Sequence, residues 1–152
     1  MAPSNAQTLY VTTTDAGVFR STDGGGTWQP ASGGLPETYL PGLAVDPNDP
    51  LVAYAGGSVV YKTSDGGASW VQAGSLPPSL VNSIAVDPSD SQVVYAGSYM
   101  GVFMSTDGGG AWSEVDPTGL GSQSVQELML HPSGKLFAGT WGASVRMTRL
   151  PV

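Results

Sequence analysis

The chain contains no cysteine. That excludes disulfides, thiolate metal ligands and a thiol nucleophile, while leaving the compartment open. Charge is scarce: 11% of the 152 residues carry it, and five bases face 12 acids for a net charge of −7. Nucleic acid and anionic membrane surfaces are recognised by basic faces, so this composition argues against both as partners. Histidine occurs once, at His131. No apolar run approaches the roughly 20 residues that cross a bilayer. Residues Met1 to Asn5 are polar and lack the charged-then-apolar pattern of a secretory leader. No window of helical length carries an apolar stripe of period 3.6. What abounds is turn chemistry, with 22 glycines and 12 prolines. A chain this uncharged and this periodic is not disordered; short strands joined by Gly/Pro turns fit it better.

The periodicity is explicit. Ser21-Thr22-Asp23-Gly24-Gly25-Gly26-Thr27-Trp28 returns as Thr63-Ser64-Asp65-Gly66-Gly67-Ala68-Ser69-Trp70, and again as Ser105-Thr106-Asp107-Gly108-Gly109-Gly110-Ala111-Trp112. The tryptophans recur at 42-residue intervals, a spacing that marks a repeat architecture. Around each box lie short β-branched and aromatic runs. Run A is Gly42 to Val45, Ser83 to Val86 and Glu127 to Leu130. Run B is Leu9 to Val11, Val52 to Ala55, Val93 to Ala96 and Leu136 to Ala138. Run C is Gly17 to Arg20, Val59 to Lys62, Gly101 to Met104 and Ala143 to Arg146, and run D opens on Trp28, Trp70 and Trp112. Runs joined this tightly pair antiparallel. A four-stranded meander repeated every 40–45 residues predicts a β-propeller.

The expectation is therefore an all-β propeller unit over residues 1–152, with blades near 8–33, 41–75, 82–117 and 125–149. The first blade lacks run A and the last lacks run D, which gives three, four, four and three strands. The fourth box is absent: Arg149, Leu150 and Pro151 stand where its aspartate and glycines would fall. Unpaired strand edges at the two end blades invite another chain. Two chains closing an eight-bladed ring follow as the favoured assembly, ahead of a self-closed four-bladed monomer.

The eight-residue box resembles the Asp-box, or BNR repeat, of the sialidase-like propellers, Ser/Thr-x-Asp-x-Gly-x-Ser/Thr-Trp. The first two copies match it and the third departs at Ala111. The text between boxes, such as Ala44-Val45-Asp46-Pro47-Asn48-Asp49-Pro50, is similar to blades of xyloglucanase-type glycoside hydrolases, photosystem assembly factors and sortilin-type receptors. The resemblance covers about residues 8–149 and implies an extracellular or periplasmic setting. It is shared by enzymes, receptors and chaperone-like factors, so function must be argued from the site.

Each box reads as a structural turn. Asp23, Asp65 and Asp107 accept hydrogen bonds from the turn they open, with Ser21, Thr63 and Ser105 ahead of them and Thr27 and Ser69 behind. Gly25, Gly67 and Gly109 permit the reversal, and Trp28, Trp70 and Trp112 pack beneath it. An ion site or a phosphate loop is disfavoured: Asp-Gly turns are local structure, and no lysine follows the glycines. Asp46, Asp87 and His131 hold equivalent positions before Pro47, Pro88 and Pro132. They are read, with Asp49 and Asp90, as turn residues rather than bases or metal ligands. No metal or cofactor is expected. The acids that do not repeat are Asp15, Glu37, Glu114, Asp116 and Glu127.

In such a meander the boxes occupy one rim and the B–C and D–A loops the other. The loop rim carries Asp15, Glu37, Tyr39, Leu76, Tyr99, Met100 and Trp141 as candidate binding residues. Tyr99 and Trp141 fall at matching loops of adjacent blades and suit a sugar ring or a protein anchor, against the plainer reading that they cover the seam. No sialidase arginine cluster can be assigned; Arg20 and Arg146 read as solvent-facing residues of run C. A glycosidase pair of Asp15 with Glu37 or Glu127 can be imagined, and no motif selects it. The chain is accordingly read as a non-enzymatic scaffold and binding module that self-assembles, favouring a homodimer. It could be a natural half-propeller, a segment of a larger ring or an engineered unit. The alternatives are a lectin-like propeller and a piece of a glycoside hydrolase.

Overall fold

A computed structural model describes residues 5–115, 124–131, 134–141 and 143–149, the last stretch by its backbone. Asp116, Pro132, Leu150 and Pro151 lie outside the described residues. Every regular element among the described residues is a strand. Blade 1 contains β1 (Leu9–Thr13), β2 (Gly17–Ser21) and β3 (Gln29–Pro30). Blade 2 contains β4 (Gly42–Val45), β5 (Ala53–Gly56), β6 (Val60–Thr63) and β7 (Val71–Gln72). Blade 3 contains β8 (Val81–Val86), β9 (Val94–Ser98), β10 (Gly101–Ser105) and β11 (Ser113–Glu114). Blade 4 contains β12 (Val125–His131), β13 (Lys135–Thr140) and β14 (Ala143–Arg149). Sequential strands pair in every sheet, all antiparallel, giving four separate meanders of three, four, four and three strands.

The core is distributed over three seams rather than gathered in one centre. Tyr10, Val18, Ala31, Leu40, Ala53, Ala55, Tyr61 and Trp70 fill the first seam. Tyr54, Val60, Ala73, Val81, Ile84 and Val94 are among those filling the second. Tyr95, Val102, Val125, Leu128, Leu136 and Ala138 fill the third. Period-two alternation produces this arrangement. On β5, Ala53 and Ala55 face back to blade 1 while Tyr54 faces forward to blade 3. Small residues backward and a tyrosine forward let neighbouring sheets nest. Tyr54 is fully buried, and its hydroxyl donates to the Gly108 carbonyl at 3.1 Å. Burying a side chain of this size contributes about 1.5–3 kcal/mol. Among the described residues each end blade packs on one neighbouring sheet, and Val11 on β1 and Met129 on β12 are 40% and 58% exposed.

The outer strands start one residue after each tryptophan and hold only two residues. In blade 2 the Trp70 backbone N–H bonds Gly33 O of the preceding blade at 2.8 Å and ties the seam; β3 and β11 are equally short, so this bond does not set the length.

Candidate functional site

The boxes form one set of turns with a repeated bond pattern. In the first, Ser21 Oγ donates to Asp23 Oδ1 at 2.7 Å and accepts from the Gly25 N–H at 2.8 Å. The Thr27 N–H and Oγ1 donate to the two Asp23 oxygens at 2.9 and 2.7 Å. The second box repeats this with Thr63, Asp65, Gly67 and Ser69. In the third, Ser105 and the Ala111 N–H hold Asp107, and the missing hydroxyl of Ala111 removes one bond. Gly25, Gly67 and Gly109 adopt φ of 96°, 89° and 96°, which a side chain would strain.

These bonds favour the ionised carboxylates. The Thr27 hydroxyl, then the Thr27 N–H and the Ser21 hydroxyl, hold Asp23 well below the ordinary range. The Ser69 hydroxyl and N–H, then Thr63, lower Asp65 to about 2. The Ala111 N–H and then Ser105 lower Asp107. A carboxyl depressed on folding stabilises the native state above its unfolded value of about 3.9. That stabilisation is lost as pH falls through the folded value. Carboxyl NMR titration is expected to find Asp23 and Asp65 still charged at pH 3.5 and Asp107 titrating below the ordinary aspartate value, with Ala111→Thr depressing Asp107 further. Three titrations near the ordinary aspartate value would contradict this account of the box.

The tryptophans seal seams. The Trp70 indole N–H donates to Ala31 O at 2.7 Å and Trp112 to Ala73 O at 2.9 Å, each carbonyl belonging to the preceding blade. Trp70 is 4% exposed, whereas Trp28, with no blade before it among the described residues, is 39% exposed. Trp28 and Trp112 also lie against their own turns, 3.8 Å from a methyl placed on Gly25 and Gly109. Three sequence expectations need correction, at Arg20, Glu37 and Leu76. Arg20 is half-buried with its guanidinium 5.7 Å from the Tyr10 ring centre, rather than solvent-facing. Its counterpart Lys62 lies over Tyr54 and donates to Gly108 O at 2.9 Å. Strand C therefore sends a cation to the next blade's box, where an aromatic ring favours it.

Glu37, expected on the binding rim, is committed elsewhere. Its carboxylate accepts from Ser58 N–H at 3.0 Å, Ser58 Oγ at 2.7 Å and the Tyr61 hydroxyl at 2.8 Å. It clamps the loop leaving blade 1 to the β5–β6 turn. Leu76 packs on the second seam instead of lining the rim. The turn acids behave as turns: Asp46 accepts from Asn48 N–H and Ser91 Oγ, Asp87 from Ser89, Asp49 from Leu51 N–H and Asp90 from Gln92 N–H. His131 ends β12 edge-on to Phe137. No group of three or more potential metal ligands gathers among the described residues.

The loop rim offers one aromatic cleft. Tyr99, in the β9–β10 turn, and Trp141, after β13, stand 52% and 79% exposed. With Ser124 and Gln126 they line an open cleft of about 380 Å³. The backbone fixes this wall: Trp141 N–H bonds Ser124 O at 3.0 Å, and Gln126 Nε2 donates to Ser124 Oγ at 2.8 Å. Met100 is exposed beside Tyr99, its N–H held by Ser98 Oγ. Tyr39 lies apart, in a smaller groove with Thr12, Thr13, Thr14, Leu40 and Pro41. Asp15 is exposed in the β1–β2 turn and lines neither cleft. Two aromatic faces and two neutral polar side chains can stack and hydrogen-bond. Sequence reading missed Ser124 and Gln126, because run A was taken to begin at Glu127 and both residues precede it.

No protein-family model matches the sequence, and no curated protein does. Solved structures do match its shape. An ancestral GH74 enzyme superposes with a TM-score of 0.80 at 20% identity, over 97% of this chain and 22% of that one. The GH74 xyloglucanase from Xanthomonas campestris gives 0.77 at 19% identity, over 96% and 27%. YCF48 bound to a D1 peptide gives 0.64 at 20% identity, over 93% and 54%. This chain thus spans about a quarter or less of the GH74 chains. At these identities the likeness establishes the fold, an all-β partial propeller, and its neighbours include GH74 enzymes and the peptide-bound YCF48. No helix among the described residues is long and apolar enough to cross a membrane.

Proposed function

We propose that this chain is a non-enzymatic scaffold and binding module that takes its ligand on the loop rim and associates through its end blades. The observation that carries the reading is the Tyr99–Trp141 cleft. A tryptophan held 79% exposed beside an exposed tyrosine leaves apolar surface in water, and such patches mark recognition sites. A pyranose ring, with one apolar face and hydroxyls for Ser124 and Gln126, is the ligand class that suits the walls best. A glycan array tests it: a bound sugar is expected, with Trp141→Ala weakening it about tenfold or more. If no sugar binds, or the variant binds equally, the lectin-like reading fails and a protein ligand becomes the rim's occupant.

Association rests on the exposed apolar faces of the end blades, with Val11 and Trp28 on one side and Met129 on the other. Native mass spectrometry at micromolar concentration is expected to show a homodimer; a strict monomer would remove this part. The extracellular or periplasmic setting rests on the family resemblance. The second reading, a segment of a glycoside hydrolase, is favoured by the GH74 neighbours. It needs two carboxylates facing one another across a cleft. Turnover of β-glucan or sialyl substrates by this chain would establish it and overturn the first.

A further inference from the structure

The fold sorts charge by rim. The connections of the loop rim are residues 14–16, 31–41, 57–59, 73–80, 99–100, 115–124 and 141–142. Their sequence holds Asp15, Glu37 and Asp116 and no lysine, arginine or histidine. The bases lie elsewhere. The Arg20 guanidinium rests against Gly66 and Lys62 donates to Gly108 O, both toward the boxes. Lys135 pairs with His131 and Arg149 at the box end of blade 4, and Arg146 pairs with Ala138 in the body of β14.

The Tyr99–Trp141 cleft opens on this base-free rim, and carboxylates stand beside it. Glu114 and Glu127 are both exposed. Glu114 Oε1 comes to 4.0 Å from a methyl built on Gly101, two residues from Tyr99. Glu127 follows Gln126 and pairs with Gly139, two residues from Trp141, its Cβ 3.7 Å from a methyl built there. Within the cleft, Gln126 spends an N–H of its side chain on Ser124 Oγ, a bond that does not use its amide oxygen. The site thus combines two aromatic faces, an amide acceptor and neighbouring carboxylates. Aromatic faces attract an ammonium group, and a surface of one sign concentrates the opposite charge. An anionic sugar would meet like charge with no base on the rim to offset it.

We propose that the cleft selects a pyranose bearing a free ammonium group, as in a chain of β-linked glucosamine, over neutral and acidic sugars. This rests on the pyranose reading above and adds the charge of the ligand. The apolar face of the ring stacks on an exposed aromatic side chain, as any pyranose would. The ammonium group supplies the charge that the rim lacks and that its acids favour. An amino sugar meets both demands in one ring, whereas a lysine side chain meets only the second.

The probes are the tetramers of β-linked glucosamine, of its N-acetylated form and of glucose, with tetralysine as the charge-matched control. Each is titrated into the isotope-labelled protein at low salt while the Trp141 indole signal is followed. The glucosamine tetramer is expected to bind about fivefold more tightly than either neutral tetramer, a factor that a cation over an aromatic ring can supply. The preference should shrink to about twofold or less near 0.5 M salt, where exposed charges are screened. Trp141→Ala is expected to weaken every tetramer about tenfold. A double variant, Glu114→Gln with Glu127→Gln, changes two exposed side chains; it should keep the glucose affinity and lose the preference. Equal binding of the glucose and glucosamine tetramers, both weakened by Trp141→Ala, would overturn the charge selection and leave the pyranose reading standing. No response of the Trp141 indole to any tetramer would remove both. Glucosamine binding untouched by Trp141→Ala, a preference undiminished in the double variant, or tetralysine moving the Trp141 indole as strongly would each overturn the amino-sugar site.

Discussion

Trp70→Ala is expected to destabilise the protein by about 3–5 kcal/mol, the cost of deleting a large buried aromatic. Trp28→Ala, in an identical motif, is expected to cost far less. Trp70 is 4% exposed, packs among the residues of the first seam and donates to Ala31 O at 2.7 Å. Its removal leaves a cavity between two sheets and an unpaired carbonyl at a place that water does not reach. Trp112 makes the same bond at 2.9 Å but is only half-buried, and it should fall between the two. Trp28 is 39% exposed and has no seam to lose among the described residues. Urea denaturation of the three variants checks the order. Three equal losses would mean that the indoles stabilise their own turns, and the seam account would be wrong.

Gly33→Ala is expected to cost about 3 kcal/mol, the upper end of overpacking. A methyl group there would strike the Ala68 carbonyl oxygen and approach the carbonyl carbon at 2.7 Å. Backbone atoms cannot rotate away as a side-chain tip can. Gly33 also accepts from the Trp70 N–H at 2.8 Å and donates to Gly67 O at 3.2 Å, so blade 1 must lift off blade 2 and lose both bonds. Gly26→Ala is the control: its added methyl faces the flexible Asp23 carboxylate at 3.2 Å, where a small adjustment suffices. A Gly33→Ala melting curve unchanged from that of the parent would show that the seam is looser than these distances state.

The repeat made the blades legible before any coordinates. Box spacing located the β2–β3, β6–β7 and β10–β11 turns, and alternation within runs such as Val52 to Ala55 located the strands. The candidate site was legible only in part. Tyr99 and Trp141 could be matched as equivalent loop residues, but Ser124 and Gln126 precede the run read as strand A, and the fold brings them beside Trp141. Glu37 looked available because it does not repeat. Its partners Ser58 and Tyr61 belong to the next blade, and nothing in its own stretch announces them.

By itself the sequence determined each meander, since period-two alternation, Asp-Gly turns and boxed tryptophans are local signals acting within about 40 residues. Tertiary structure alone decided which of three identical tryptophans is buried, why Gly33 must be glycine, and where Arg20, Lys62 and Glu37 spend their charge. Those outcomes depend on the neighbouring sheet, and a repeat records what every blade shares but not which blades have a neighbour.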